Sequence, residues 1–292
     1  MRLEAIDHVV LAARSVESST GPFVRLGLKL SNVVEHTTGN EHRTFAVGAG
    51  ENLFYVAVLA PWADPAPGSP DTQGELRSTI SAGGGLHLVA FRTQELDQAV
   101  EELRERGIDV WSGELVRLDG RKVADIARFG DRERMGLRAA LIEHEQSVAT
   151  LVKERQSAGL FNHDFPLKRL DHLAAIVQNL DAATRYWDET AGVTVYGEVK
   201  TPAMIIRQLM IGDAILELLG PSGPESPVAA RPPGLASMVA FEVDGLDDAV
   251  TLARDRGFTV TDPSDGVLPG TRTATIPADQ LSGMSMQLLE YV

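Results

Sequence analysis

The chain has 292 residues, 43% of them hydrophobic, which is enough to bury a core and suggests two domains at the usual size of roughly 100–200 residues each. Forty-one acidic against 27 basic side chains leave a formal charge of -14, which repels phosphate backbones and anionic bilayers and argues against a nucleic-acid or membrane partner. The absence of cysteine excludes disulfides, thiolate metal sites and cysteine nucleophiles, leaving His, carboxylate and amide groups as possible metal ligands.

The first twelve residues lack the basic start and long apolar core of a signal peptide, and no run of about 18 apolar residues could span a bilayer, so cytoplasmic residence is the default expectation. Ile6-Asp7-His8-Val9-Val10 reads as a buried strand. The segment EHTTGNEHRTF carries His36, Asn40, His42 and Arg43. Two histidines and an arginine there could bind a carboxylate or move a proton, or the segment is a solvent-exposed hairpin turning at Thr37-Thr38-Gly39-Asn40, the reading we favour. Thr44-Phe45-Ala46-Val47 and Phe54-Tyr55-Val56-Ala57-Val58 have strand character, and a Pro- and Gly-rich stretch follows at 61–70. In residues 94–110, Leu96, Ala99, Val100 and Leu103 make one apolar helix face that ends at Gly107, a plausible left-handed cap.

Residues 147–168 read as a connector helix and loop, after which the pattern repeats. Leu170-Asp171-His172-Leu173-Ala174 echoes the opening strand, and DGLDDAVTLARDRGFTV at 244–260 matches QELDQAVEELRERGIDV at 94–110 without a gap. The second helix again has an apolar face, at Leu246, Ala249, Val250 and Leu252, and ends at Gly257. In Leu216-Glu217-Leu218 the pleat turns Glu217 away from its leucine neighbours, where a carboxylate buried without a partner would be costly. Arg207 and Arg272 are weak candidates for a substrate anion, because lone strand arginines are more often surface pairs. Trp62, Trp111 and Trp187 read as packing residues. A weaker repeat inside each half gives an α+β fold of four βαβββ units, paired into two half-open β-barrel domains. Residues 1–150 form the first, 151–168 the connector and 169–292 the second. One unit alone leaves a curved sheet uncovered, so two must pair around a concave interior, the natural cleft for a small-molecule substrate.

The Asp-His-apolar openings, Leu216-Glu217-Leu218-Leu219-Gly220-Pro221, Val239-Ala240-Phe241-Glu242-Val243 and the closing GMSMQLLE together resemble the vicinal oxygen chelate superfamily, the glyoxalase, bleomycin resistance and extradiol dioxygenase group. The resemblance spans nearly the whole chain. It implies a divalent metal (Mg, Mn, Ni, Zn or Fe) in a cleft. In the second half the ligand positions fall on His172, Glu217, Met238 and Gln287, where the family usually has His and Glu at the last two. Met is a poor ligand for a hard cation, so His172, Glu217 and Gln287 remain as the metal set. In the first half the positions fall on His8, Ala57, Leu88 and Ala140. His87 sits one residue off and therefore on the opposite face of a regular strand. For His8 the favoured reading is a histidine satisfied by a backbone carbonyl or by Asp7.

The resemblance implies a metal-assisted isomerase, epimerase or lyase acting through enolate-type chemistry on a 2-oxo acid, thioester or hydroxy ketone, with Glu217 as ligand or base. The alternative is a metal-free binding or sequestering protein. An extradiol-type dioxygenase is the third reading, although its facial triad would fall on His172, Met238 and Gln287 and keep one ligand of three. Because the halves already pair with each other, a monomer or weak homodimer is expected.

Overall fold

Strand β1 (Ala5–Ala12) is apolar apart from Asp7 and His8, and every one of its residues is buried, as befits the middle of a sheet covered on both faces. A computed structural model, which describes residues 1–48, 52–62, 73–129 and 132–292, places it at the centre of the first of two eight-stranded sheets. It is followed by α1 (Val16–Arg25), β2 (Val34–His36), β3 (Asn40–Val47) and β4 (Phe54–Pro61). After α2 (Gly74–Ser81) the pattern recurs as β5 (Gly85–Arg92), α3 (Leu96–Glu105), β6 (Trp111–Val116), β7 (Lys122–Phe129), the short α4 (Arg132–Met135) and β8 (Ala139–His144). Helix α5 (Val148–Ser157) leads to the second half. There the order is β9 (Leu167–Ile176), α6 (Leu180–Ala191), β10 (Val195–Lys200), β11 (Met204–Ile211) and β12 (Ala214–Pro221), then β13 (Gly234–Val243), α7 (Leu246–Asp255), β14 (Ser264–Asp265), β15 (Thr271–Ile276) and β16 (Ser285–Tyr291).

The strand orders, β2-β3-β4-β1-β5-β8-β7-β6 and β10-β11-β12-β9-β13-β16-β15-β14, are the same permutation. Within each unit the first and last strands run parallel, and the two units of a half join where their first strands lie antiparallel, β1 on β5 and β9 on β13. This pairing gives each opening strand a neighbour on both sides and leaves no bare edge at the centre of the sheet. The expected four βαβββ units and α+β class are the observed architecture.

Period-two alternation divides each sheet into two faces. One carries Val9, Leu11, Val56, Val89, Leu173, Leu216 and Val239 into a single core shared by both halves. Phe241 lies fully buried at their junction, 6.2 Å from Phe45 and 6.1 Å from Phe54 between ring centroids, while Phe91 meets Trp187 edge-on at 5.6 Å. The stripe of α3 is the expected one; that of α7 runs through Ala253 instead of Leu252, since a period of 3.6 from Leu246 returns at 249, 250 and 253. Gly107 and Gly257 follow these helices with φ of 73° and 79°, a conformation that costs a side-chain-bearing residue but not glycine. Of the Pro- and Gly-rich stretch at 61–70, residues 63–70 lie outside the described residues. Among the described residues no helix is long and apolar enough to cross a membrane.

Removing the ring at the junction should cost about 3–5 kcal/mol, transfer and cavity terms together. The expected outcome for Phe241→Ala is a loss of that size in urea unfolding, in one transition for both halves; a loss below about 1 kcal/mol would show that the halves do not depend on this contact.

Candidate functional site

The other face of the first sheet curls around a cavity, and its chemistry begins at Asp7. This carboxylate is wholly buried and accepts three hydrogen bonds, from Arg92 Nε at 2.9 Å, His8 Nδ1 at 2.8 Å and His144 Nε2 at 3.0 Å. Burial acts to raise its pKa, but His144 and His8 outweigh it and hold the carboxyl well below its ordinary value. A register shift between Ile6 and His8 interrupts the pleat at Asp7. His8 is thus satisfied by Asp7 through Nδ1, as expected, and its ring stacks on Tyr55 at 4.7 Å and 13° at the cavity wall. Burial, then the Asp7 charge, pushes the Tyr55 phenol well up, so it stays protonated.

The cavity holds about 400 Å³ and has an apolar floor of Val10, Ala57, Leu88, Ala124, Ile126 and Ile142. Helix α5 roofs it: Val152 packs with Ala46, Leu53, Tyr55 and Ala57, while Leu151 and Arg155 line the interior. One wall is a stacked imidazole pair, His36 and His42, with centroids 5.0 Å apart and Nε2 to Nδ1 at 3.2 Å. Burial, then the neighbouring His36, pushes His42 down to about 3; burial also lowers His36, so both rings are neutral at pH 7. The turn expected at 37–40 is present between β2 and β3, but the hairpin is not solvent-exposed, since His36 is buried and both rings face the cavity.

Arg43, expected beside these histidines, faces the other way. Its strand position pairs with Val58, one residue out of phase with His42, and its Nε donates to the Ser31 carbonyl at 2.8 Å. His87, expected on the outer face, lines the cavity because a bulge between Val10 and Leu11 breaks the alternation there, and its Nδ1 lies 2.8 Å from Thr79 Oγ1. Trp111 also lines the cavity, with the Arg128 guanidinium 4.3 Å over its ring, whereas Trp187 is core.

The second sheet keeps the Asp-His device without the same surroundings. His172 Nδ1 lies 2.7 Å from Asp171, which also accepts from the Tyr291 hydroxyl at 2.6 Å. Glu217 is buried, accepts from Gln208 Nε2 at 3.0 Å, and brings its other oxygen to 3.8 Å from His172 Nε2. Burial works against a charge on His172, but Asp171 and Glu217 prevail and its pKa is raised. Gln287 and His172 each pair with Ala240, which puts them on one face in one row across the sheet. Two donors that both sit about 2.0–2.2 Å from an ion lie within about 4.4 Å of each other, so the spacing of His172 Nε2 and Glu217 is compatible with a shared cation, with Gln287 on the same face of the sheet. Among the described residues no group of three His, Asp or Glu is placed to hold one.

Arg207 and Arg272, expected as anion candidates, are on the wrong face and already paired. Arg207 pairs with Leu218, out of phase with Glu217, and binds Glu198 at 2.7 Å and Asp181 at 2.9 Å. Arg272 lies opposite Glu290 and binds Asp247 at 2.9 Å.

A family described as a glyoxalase-like domain matches residues 6–169, and one described as the glyoxalase/bleomycin resistance protein/dioxygenase superfamily matches 171–275. YwkD, an uncharacterized protein of Bacillus subtilis (strain 168), is 31% identical over 110 residues, 37% of this chain and 77% of its own. A mutant of 4-hydroxymandelate synthase from Streptomyces coelicolor superposes on 100% of this chain and 93% of its own with a TM-score of 0.68 at 14% identity. A hypothetical protein from Staphylococcus aureus does so over 97% of each chain with a TM-score of 0.62 at 12% identity. At these identities the two superpositions show a common fold.

Asp7→Asn strips the charge from a buried network that Arg92, His8 and His144 share, for which a loss of about 3–5 kcal/mol is expected in urea unfolding at pH 7. Since the folded pKa of Asp7 is depressed, its contribution is present above the unfolded value of about 3.9 and is lost as pH falls through the lower folded one, so the variant's deficit should shrink in strong acid. His42, with its folded value near 3, should show no ring titration by NMR between pH 5 and 8; a midpoint near 6.5 would contradict its burial.

Proposed function

Because this chain belongs to the glyoxalase/bleomycin resistance protein/dioxygenase superfamily, we propose that it takes up a small organic molecule, and that the chamber is the cavity of its first half. One observation carries this reading: an apolar pocket of about 400 Å³ with a few polar groups converging on it, the usual form of a small-molecule site. The groups on its wall suit proton transfer. His8 is held through Nδ1 by a buried carboxylate, which leaves Nε2 to give or take a proton from a molecule lying against Tyr55. Neutral His36 and His42 extend the same capacity along the wall. This supports enolate-type chemistry on an oxygenated substrate as well as simple binding.

The convergence of His172 Nε2 and Glu217 at 3.8 Å favours a second reading, a metal-assisted isomerase, epimerase or lyase site in the second half held by His172, Glu217 and Gln287. A divalent cation would supply polarisation of a carbonyl or carboxylate oxygen there. Asp171 fixes the His172 ring so that Nε2 faces Glu217, and Gln208 fixes the carboxylate. Because the fold favours the proton on His172, uptake of metal must displace it and should weaken as pH falls.

Two measurements separate the readings. The neutral fluorophore N-phenyl-1-naphthylamine should bind saturably, and Leu88→Trp, which fills the cavity from its floor, should abolish that binding; unchanged binding in the variant would remove the chamber. Mass spectrometry of protein purified without chelator or affinity tag should find near-stoichiometric divalent metal that is lost in Glu217→Ala. No metal in either protein, and none taken up from Mn, Ni, Zn or Fe, would sink the metal reading and leave the chamber reading untouched.

A further inference from the structure

The cavity sits in a chain of formal charge -14, yet its wall has the opposite sign. Arg117, Arg121, Lys122, Arg128 and Arg155 line it against two carboxylates, Glu145 and Glu154. Several of these charges are already answered. Lys122 is held by Glu114, Asp125 and Glu145 at 2.8–3.3 Å, and Arg117 lies 3.4 Å from Asp119. Glu154 accepts from Gln146 at 2.8 Å.

Arg155 is different. It projects from the roof helix α5, half-buried, with its guanidinium 5.2 Å over the Tyr55 ring. Among the described residues its guanidinium makes one hydrogen bond, a long one of 3.5 Å from Nη1 to the Leu151 carbonyl in its own helix, and no carboxylate pairs with it. His36, itself buried, stacks on His42 at the cavity wall. A guanidinium left without a carboxylate above an apolar floor lacks an acceptor that brings negative charge.

Resting on the chamber reading, we infer that the first-half cavity selects organic anions, seating a carboxylate or sulfonate against Arg155 between Tyr55 and the His36–His42 pair with a flat apolar body over Val10, Leu88 and Ile126. The Arg155 fork can engage two oxygens of such a group at once. The remote acidic surface does not oppose this. Over more than about 8–10 Å of salt solution its field is screened, while charges inside the cavity are not.

The histidine pair adds a pH dependence. The charged and titratable groups around it are His8 from β1, Tyr55 from β4, Arg117 beyond β6 and Arg155 from α5, each neutral or positive, with Glu145 and Glu154 as the acidic members of the wall. A bound anion gives His42 and His36 the counter-charge they lack and favours a proton on one of them. Anion binding therefore takes up protons and tightens as pH falls.

The test compares two fluorophores that differ by one group, 8-anilino-1-naphthalenesulfonate and N-phenyl-1-naphthylamine, the same rings with and without the anion. The sulfonate should bind at least tenfold more tightly than the neutral compound at pH 7, and its advantage should grow between pH 8 and pH 6. Arg155→Gln should remove most of that advantage, Arg155→Lys should restore part of it, and Leu88→Trp should abolish the binding of both probes. Equal affinities, or an Arg155→Gln variant that retains the advantage, would overturn the anion inference while the chamber stands. Binding of neither probe, or sulfonate binding that survives Leu88→Trp, would overturn both.

Discussion

A carboxylate buried beside a histidine at the start of the central strand is the constraint on which each half depends. Asp7 cannot be left alone in an apolar sheet, and the three donors that satisfy it come from its own neighbour His8, from Arg92 at the end of β5 and from His144 at the end of β8. One ion therefore ties the first strand of one βαβββ unit to the first and last strands of the other. The same bond fixes the His8 ring, so the element that holds the sheet together also decides which nitrogen the cavity receives. Asp171 repeats the arrangement with His172 and Tyr291, and there the fixed ring is turned toward Glu217.

From that shared frame the halves diverge by what they place on the concave face. The first has small and aliphatic residues, Ala57, Leu88 and Ala140, where the second has Glu217, Met238 and Gln287. The aliphatic set leaves volume and an apolar floor; the polar set places a carboxylate and an amide around an imidazole. The repeated scaffold holds a cavity in one half and a buried polar cluster in the other.

The architecture was legible in the sequence because it rests on local period: Leu96, Ala99, Val100 and Leu103 mark a helix face, and the gapless match between 94–110 and 244–260 exposes the duplication. The turn of Glu217 away from Leu216 and Leu218 followed from the same rule, and so, read strictly, did the error at Arg43, since His42 and Arg43 are neighbours in one strand and cannot both face the cavity. His87 escaped because a bulge suspends the alternation, and nothing in Gly85-Leu86-His87-Leu88 announces one. The Asp that precedes His in both halves was visible, but Arg92 and His144 lie 85 and 137 residues from Asp7, and only the folded chain brings them to it. The cavity was the least legible feature, because its roof and its arginine come from a segment that reads as a connector.

That segment has a consequence for where one half ends. Helix α5 joins the sheets in sequence, yet Val152 and Arg155 complete the first of them, and Phe241 of the second packs between Phe45 and Phe54 of the first. A gene fragment stopping at residue 150 would encode all eight strands of the first sheet but deliver an uncovered trough and a bare aromatic seam. The two sheets repeat in sequence, yet the first is completed in the folded chain by side chains from beyond its own eight strands.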